Sequence, residues 1–227
     1  MAALLAAMAV LVAIYYLWPA GAIVMAEFGQ WQHTGGVLGA ALAYGIAGGI
    51  LSEISIVYIA DRGRWTLHHL ENLTFKFFLF GIGGGIVYEF YLLQAFWFGD
   101  AATWSVILPK VLVDQFGFTV FWCTTYQTLA FRWQILRYSG RKLWNELGGD
   151  FVIKRMLPVL ITNWMFWIPG TILLYSMPLI LQLPLAVFAN AIWAVLLSAV
   201  ARHKHDVGDT TPELVPTGPS GFINSTE

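Results

Sequence analysis

Long apolar stretches separated by short polar segments form the main pattern along this chain. Each stretch is long enough to cross about 30 Å of hydrocarbon as a helix. We therefore predict an all-α fold, a polytopic membrane helix bundle of about six transmembrane helices, with residues 1–201 as a single domain. The predicted spans are about Ala2–Met25, Gly35–Ile59, Phe77–Phe98, Trp104–Phe131, Met156–Met177 and Leu179–Ala201.

Basic residues lie mainly in three of the connections between these spans. Of the twelve Lys and Arg residues, eleven follow the second, fourth or sixth span, and the exception is Lys110. The predicted turns Glu27–Thr34 and Gly99–Thr103 contain none. Because cytoplasmic loops are enriched in Lys and Arg, both termini are predicted to be cytoplasmic or on the equivalent matrix side. This topology suits a bacterial inner membrane or an organelle membrane.

The two ends of the chain carry separate predictions. No Lys or Arg precedes Arg62, so the first apolar stretch lacks the basic region of a secretory signal and is interpreted as a retained span. Residues 202–227 are rich in Pro, Gly, Thr and Ser after a short basic segment. Such composition cannot bury enough apolar surface to fold, which predicts a disordered cytoplasmic tail.

Composition agrees with a membrane protein and excludes an ordinary soluble domain. Hydrophobic residues make up 58% of the chain and charged residues 11%, against about 25% charged in soluble domains. The mean hydropathy is +0.67. A net charge of −1 gives no indication of nucleic acid as a partner. The lipid bilayer is the predicted partner, and a homo-oligomer is left open.

Lys110 and Asp114 are the most informative polar residues, because they lie inside an otherwise apolar span. Residues four apart share one face of a helix, so the two charges are expected to meet. Ionisable groups at bilayer depth are costly and face protein or water. One interpretation is a self-neutralising pair that ties helices together. The other is a polar lining, with Gln115, of a water-filled path or gate.

Two carboxylates in other spans are candidate members of the same polar cluster. Glu89 is predicted to lie in the outer half of its span, as Lys110 does, and is therefore the better candidate partner for Lys110. Glu53 lies nearer the cytoplasmic end of its span. If Glu89 and Asp114 shared Lys110, the excess negative charge would favour proton uptake by one carboxyl group or binding of a cation.

Small residues recur at helical spacing ahead of both of these carboxylates. Gly45 and Gly49 precede Glu53 at intervals of four residues, and Gly81 and Gly85 precede Glu89 in the same way. Small residues allow close approach of helix backbones in a bilayer. The pattern predicts that the second and third spans pack against each other.

Signatures of catalysis are missing from the sequence. It contains no nucleophile elbow, no His-Glu-x-x-His and no phosphate-binding loop. His68, His69, His203 and His205 lie in polar segments without the carboxylate or thiolate sets of usual metal sites and are interpreted as solvated. We expect no metal, no cofactor and no enzymatic activity.

Several motifs, in their order and spacing, resemble those of the Mpv-type and peroxisomal membrane protein family. Lys110 with Asp114-Gln115 resembles the family pattern Lys-x-x-x-Asp-Gln, and Asn163–Trp167 resembles its signature ahead of the last span. The similarity covers about residues 40–201. Other positions that match are Ser52, Gly84, Tyr91, Pro178, Trp193 and Leu197-Ser198.

The chain is similar to this family as a divergent member. Gly85, Phe90 and Val120 stand where the family has Pro, Trp and Pro. The resemblance implies an integral membrane protein linked to pore-like permeability and membrane homeostasis. The leading expectation is thus a pore-forming or permeability-modulating, channel-like protein for ions or small solutes. The alternatives are a non-conducting membrane scaffold and a proton-coupled carrier.

Overall fold

The computed structural model describes residues 2–59 and 61–206. This part of the chain consists of helices joined by turns, with no strand among the described residues, so the all-α prediction is confirmed. The helices are α1 (Ala2–Leu17), α2 (Pro19–Ile59), α3 (Leu67–Phe98), α4 (Trp104–Ile135), α5 (Gly140–Glu146), α6 (Val152–Tyr175) and α7 (Leu179–Asp206).

Four of the described helices, α2, α3, α4 and α6, are long and apolar enough to cross a membrane. Helix α1 has 16 residues, fewer than the roughly 20 that a span needs. The apolar segment Leu179–Ala194 of α7 is also shorter. The described residues thus contain four helices that could span a membrane by length and composition, fewer than the six predicted, and they agree with a membrane-compatible helical class.

The first half of the chain differs most from the prediction. Pro19 begins a new helix, which divides the predicted span Ala2–Met25, because proline is favoured at the first helical turn. The predicted turn Glu27–Thr34 is helical, and the chain instead reverses at Gly36, whose φ of +55° suits glycine.

The reversal at Gly36 is visible in a contact between residues on its two sides. A Cβ built on Gly39 would lie 3.1 Å from the carbonyl oxygen of Gln32. In a straight helix, residues seven apart are separated by about 10 Å along the axis. The 41 residues of α2 therefore form two arms, which fold back on each other at Gly36.

The two predicted glycine stripes lie against each other between α2 and α3. A Cβ built on Gly49 would lie 2.5 Å from the backbone nitrogen of Phe77, and one on Gly45 would lie 2.9 Å from the Phe77 carbonyl oxygen. From the other side, a Cβ on Gly81 would meet the Ala41 carbonyl oxygen at 3.2 Å. The absence of side chains at these positions thus allows the two backbones to touch.

The outward surface of the bundle is apolar. Phe96 is 85% exposed, Phe121 78% and Leu38 76%. Large exposed apolar side chains are expected on a surface that faces lipid, whose tails are as apolar as Leu. The surface agrees with the membrane class that the sequence predicts.

The polar connection after α4 is compact. Its short helix α5 is joined to α4 by Arg132, whose guanidinium donates to both carboxylate oxygens of Glu146 at 2.7–3.0 Å. At the other end of the chain, α7 continues to Asp206, so residues 202–206 of the predicted tail are helical. The rest of that tail lies outside the described residues.

Candidate functional site

A cavity of about 90 Å³ lies between α2, α3, α4, α6 and α7. About 10–15 Å³ of such volume accommodates one water molecule, so several would fit. Aromatic side chains form much of its wall, and Asp114 is the one formally charged residue among the described residues that line it. Polar groups from four helices converge there, among them Tyr44, Asp114, Gln115, Thr119, Asn163 and Asn190.

Asp114 is 5% exposed and accepts three hydrogen bonds. Tyr175 donates its hydroxyl to Oδ2 at 2.5 Å, while Gln115 Nε2 and Thr119 Oγ1 donate to Oδ1 at 3.1 and 3.3 Å. The Tyr175 hydroxyl in turn accepts a hydrogen bond from Gln94 Nε2 at 2.8 Å. The carboxylate is thus held by neutral donors.

The helix that carries Asp114 is not a regular α-helix. Residues Val113–Thr124 form a π-helix, a rare conformation with hydrogen bonds between residues five apart that is often found at functional sites. Thr119 follows Asp114 by five residues, which places its hydroxyl one π-turn along the same face. The local widening of α4 therefore builds part of the carboxylate's hydrogen-bonding environment.

Two buried amide atoms that belong to residues lining this cavity have no hydrogen-bond partner among the described residues. They are Gln115 Oε1, an acceptor, and Asn190 Nδ2, a donor. Leaving a buried polar group unpartnered costs about 1–3 kcal/mol. Other buried amides, such as that of Gln32, also lack partners, but Gln115 and Asn190 line the same cavity as Asp114. Reorientation of either amide towards the cavity would add a polar group beside the Asp114 carboxylate.

Lys110 does not form the predicted pair with Asp114. Among the described ion pairs within 4.0 Å, none joins these two residues. Lys110 is 1% exposed, and its Nζ lies 5.5 Å from the centroid of the Tyr175 ring. The change from α- to π-helix at Val113 alters the register on which the four-residue spacing relied. Tyr175 therefore contacts both charged groups, its ring facing Lys110 and its hydroxyl facing Asp114.

Glu53 belongs to a different buried cluster. Lys76 Nζ donates to Glu53 Oε2 at 2.7 Å, and His69 Nδ1 lies 2.9 Å from Glu53 Oε1. His69 Nε2 also lies 3.7 Å from a carboxylate oxygen of Asp61. Glu53 is 1% exposed and Lys76 is 3% exposed, so this is a buried ion pair between α2 and α3.

The sequence predicted a polar loop over Asp61–Lys76, between the second and third spans, with His69 solvated, and this prediction is wrong. Helix α3 already begins at Leu67, with the Thr66 side chain accepting a hydrogen bond from the His69 backbone N–H. The spacing of His69, Asn72 and Lys76 at three and four residues places them on one face of that helix. This periodicity was the signal that could have identified them as buried.

Glu89 is exposed on α3 and forms no ion pair within the described part of the chain. The predicted cluster of five residues is therefore divided. Asp114 and Gln115 line the cavity, Lys110 lies beside Tyr175, and Glu53 and Glu89 lie elsewhere.

No group of three or more His, Cys, Asp or Glu side chains that could hold a metal ion occurs within residues 2–59 and 61–206. No protein-family model matches this chain, and neither a curated protein nor a solved structure is significantly similar to it. The resemblance to the Mpv-type and peroxisomal membrane protein family therefore stays a prediction that rests on the motifs alone.

Proposed function

We propose that this protein allows ions or small solutes to cross a membrane, with the cavity around Asp114 as the polar part of the path. The observation that supports the proposal is a buried carboxylate that lines a cavity of about 90 Å³ and forms no ion pair with another described residue. Ionisable groups inside a bundle of spanning helices typically mark substrate or ion pathways.

The proposed orientation places the connection after α2 and the connection after α4 on the cytoplasmic or matrix side. It rests on the distribution of Lys and Arg. Single cysteines introduced at Arg64 and Arg141, in a Cys123→Ser background, provide the test. Both positions should react with a membrane-impermeant maleimide from the same side of the membrane, and labelling from opposite sides would contradict the proposed orientation.

Reconstitution of the purified protein tests the proposed function directly. The protein in planar bilayers or in liposomes should conduct ions or release small solutes, and Asp114→Ala should change selectivity or rate. Glu89→Ala serves as the matched control, because Glu89 is exposed and lies outside the cavity. Folded protein that leaves bilayers silent and liposomes impermeable would contradict the proposal.

The close glycine contact and the buried Glu53–Lys76 pair favour a second candidate, a non-conducting membrane scaffold. In that case Asp114→Ala would lower the thermal stability of the protein and leave the permeability of liposomes unchanged. Flux that depends on a proton gradient would instead indicate a proton-coupled carrier, with Asp114 as its titrating group.

A further inference from the structure

We infer that the cavity around Asp114 binds a small organic cation that carries N–H donors, of the ammonium or guanidinium class. The inference rests on the proposed function, because it names the class of solute that would use the path. It combines the charge of the cavity, its unused hydrogen-bonding groups, its aromatic wall and its volume.

The charge of the cavity favours a cation. No Lys, Arg or His is among the described residues that line it, and Asp114 supplies a carboxylate. Lys110 is not a lining residue and lies against the Tyr175 ring. A cation in the cavity would face the Asp114 charge directly, whereas an anion would be repelled by it.

The unused hydrogen-bonding groups favour an occupant that donates. A carboxylate has about four lone-pair sites, and the described hydrogen bonds to Asp114 use three of them. Gln115 Oε1 is a further acceptor without a partner. At Asn190 the unpartnered atom is Nδ2, and rotation of the amide by half a turn would present Oδ1 instead. Reorientation of the two amides towards the cavity would thus add two acceptors, from α4 and α7, to the Asp114 carboxylate.

The aromatic wall distinguishes an organic cation from a metal ion. Ammonium and guanidinium groups are attracted to the faces of Trp and Tyr rings, whereas Ca²⁺ or Mg²⁺ requires about six oxygen ligands. The cavity offers rings rather than a shell of oxygens, and its volume of about 90 Å³ accommodates a solute of a few heavy atoms. The rings that line it are those of Tyr44, Tyr91, Trp122, Tyr126, Trp167 and Trp193.

Guanidinium and urea form the matched pair of probes for this inference. They have nearly the same shape and donors, and they differ in charge. Calorimetric titration of the purified protein in detergent should give saturable binding of guanidinium at millimolar concentration, at least about tenfold tighter than urea, as expected for charge-assisted hydrogen bonds. Equal affinities, or no binding of guanidinium, would overturn the inference.

Two variants test whether the binding occurs in this cavity. Asp114→Asn keeps the shape of the side chain and should reduce the preference for guanidinium about tenfold. Gly83→Leu should abolish binding by filling the cavity, because Gly83 lines it and a Cβ there meets only Tyr126 at 3.8 Å. The exposed carboxylate variant Glu27→Gln is the control. Affinity that neither cavity variant changes would overturn the assignment.

Flux measurements separate this inference from the proposed function. Liposomes with the reconstituted protein are assayed for release of guanidinium, urea and potassium. Asp114-dependent binding of guanidinium without flux of any probe would keep the cation site and contradict the transport proposal. Flux of urea or potassium without binding of guanidinium would keep the transport proposal and overturn the cation site.

Discussion

The two buried carboxylates of this bundle, Glu53 and Asp114, lie in contrasting environments. Glu53 has a direct ion-pair partner in Lys76 at 2.7 Å and a second contact in His69. Asp114 is held by neutral donors and lies on a cavity with unpartnered amides. A fully paired charge joins two helices, whereas a charge with unused acceptor capacity is available to an occupant. Buried carboxylates thus hold helices together in one region and, in our proposal, bind a solute in the other.

The largest loss of stability is expected from removing the ion pair between Glu53 and Lys76. Lys76→Met leaves Glu53 buried without its ion-pair partner, which typically costs about 3–5 kcal/mol. Denaturation in detergent, followed by circular dichroism, should show this loss. The double variant Lys76→Met with Glu53→Leu should recover most of it, because apolar replacement of a buried pair is often nearly neutral. Unchanged stability of the single variant would show that the pair does not hold α2 to α3.

An intermediate effect is expected at the hydrogen bonds around Asp114. Tyr175→Phe removes the hydroxyl that donates to Asp114 and accepts from Gln94. Leaving buried partners unsatisfied costs about 1–3 kcal/mol, which the same denaturation measurement resolves. Tyr58→Phe is the matched control, because Tyr58 is 65% exposed. A loss of similar size in both variants would argue against a specific role of the Tyr175 hydroxyl.

A loss of stability of comparable size is expected from adding a side chain at Gly49, where α2 contacts α3 close to Glu53. In Gly49→Ala the new methyl group would lie 2.5 Å from the Phe77 backbone nitrogen, so α2 and α3 must separate. Such overpacking costs about 1–3 kcal/mol. The control Gly83→Ala meets only Tyr126 at 3.8 Å and should gain up to about 1 kcal/mol from reduced backbone freedom. If the melting temperatures of Gly49→Ala and Gly83→Ala shifted in the same direction, the expected difference between these two positions would be contradicted.

The smallest change in the free energy of unfolding is expected for Asp114→Asn. This variant therefore tests the difference between Asp114 and Glu53 most directly. The amide oxygen can still accept from Tyr175, and the cost of burying a charge disappears, so stability should change by less than about 1 kcal/mol. Glu53→Gln should destabilise more, because Lys76 then loses its counter-charge. Flux in liposomes should respond in the opposite order, with Asp114→Asn affecting it and Glu53→Gln leaving it unchanged in protein that remains folded.

The sequence predicted those features that depend on local pattern. Helical class follows from apolar length, and the contact of α2 with α3 was expected from Gly45, Gly49, Gly81 and Gly85. Asp114 and Gln115 stood out because polar residues are rare in apolar stretches. These inferences require only periodicity and the cost of burying polar groups.

Other features depend on departures from regular geometry that composition does not reveal. The expected Lys110–Asp114 contact assumed an α-helical register, and the π-helix beginning at Val113 changes it. The sequence predicted a turn at Glu27–Thr34 because this segment is polar. The segment is helical in the structure, and the chain reverses at Gly36 instead. Tyr175, which contacts both charges, comes from α6, 61 residues after Asp114, and no local spacing links the two.

The reversal at Gly36 also has a consequence for biogenesis. Because the two arms of α2 meet at a single glycine, no connecting loop separates them. The arms would therefore partition into lipid together, as one helical hairpin. A side chain at residue 36 would oppose the φ of +55° and so disturb membrane insertion before any of the later helices had been synthesised.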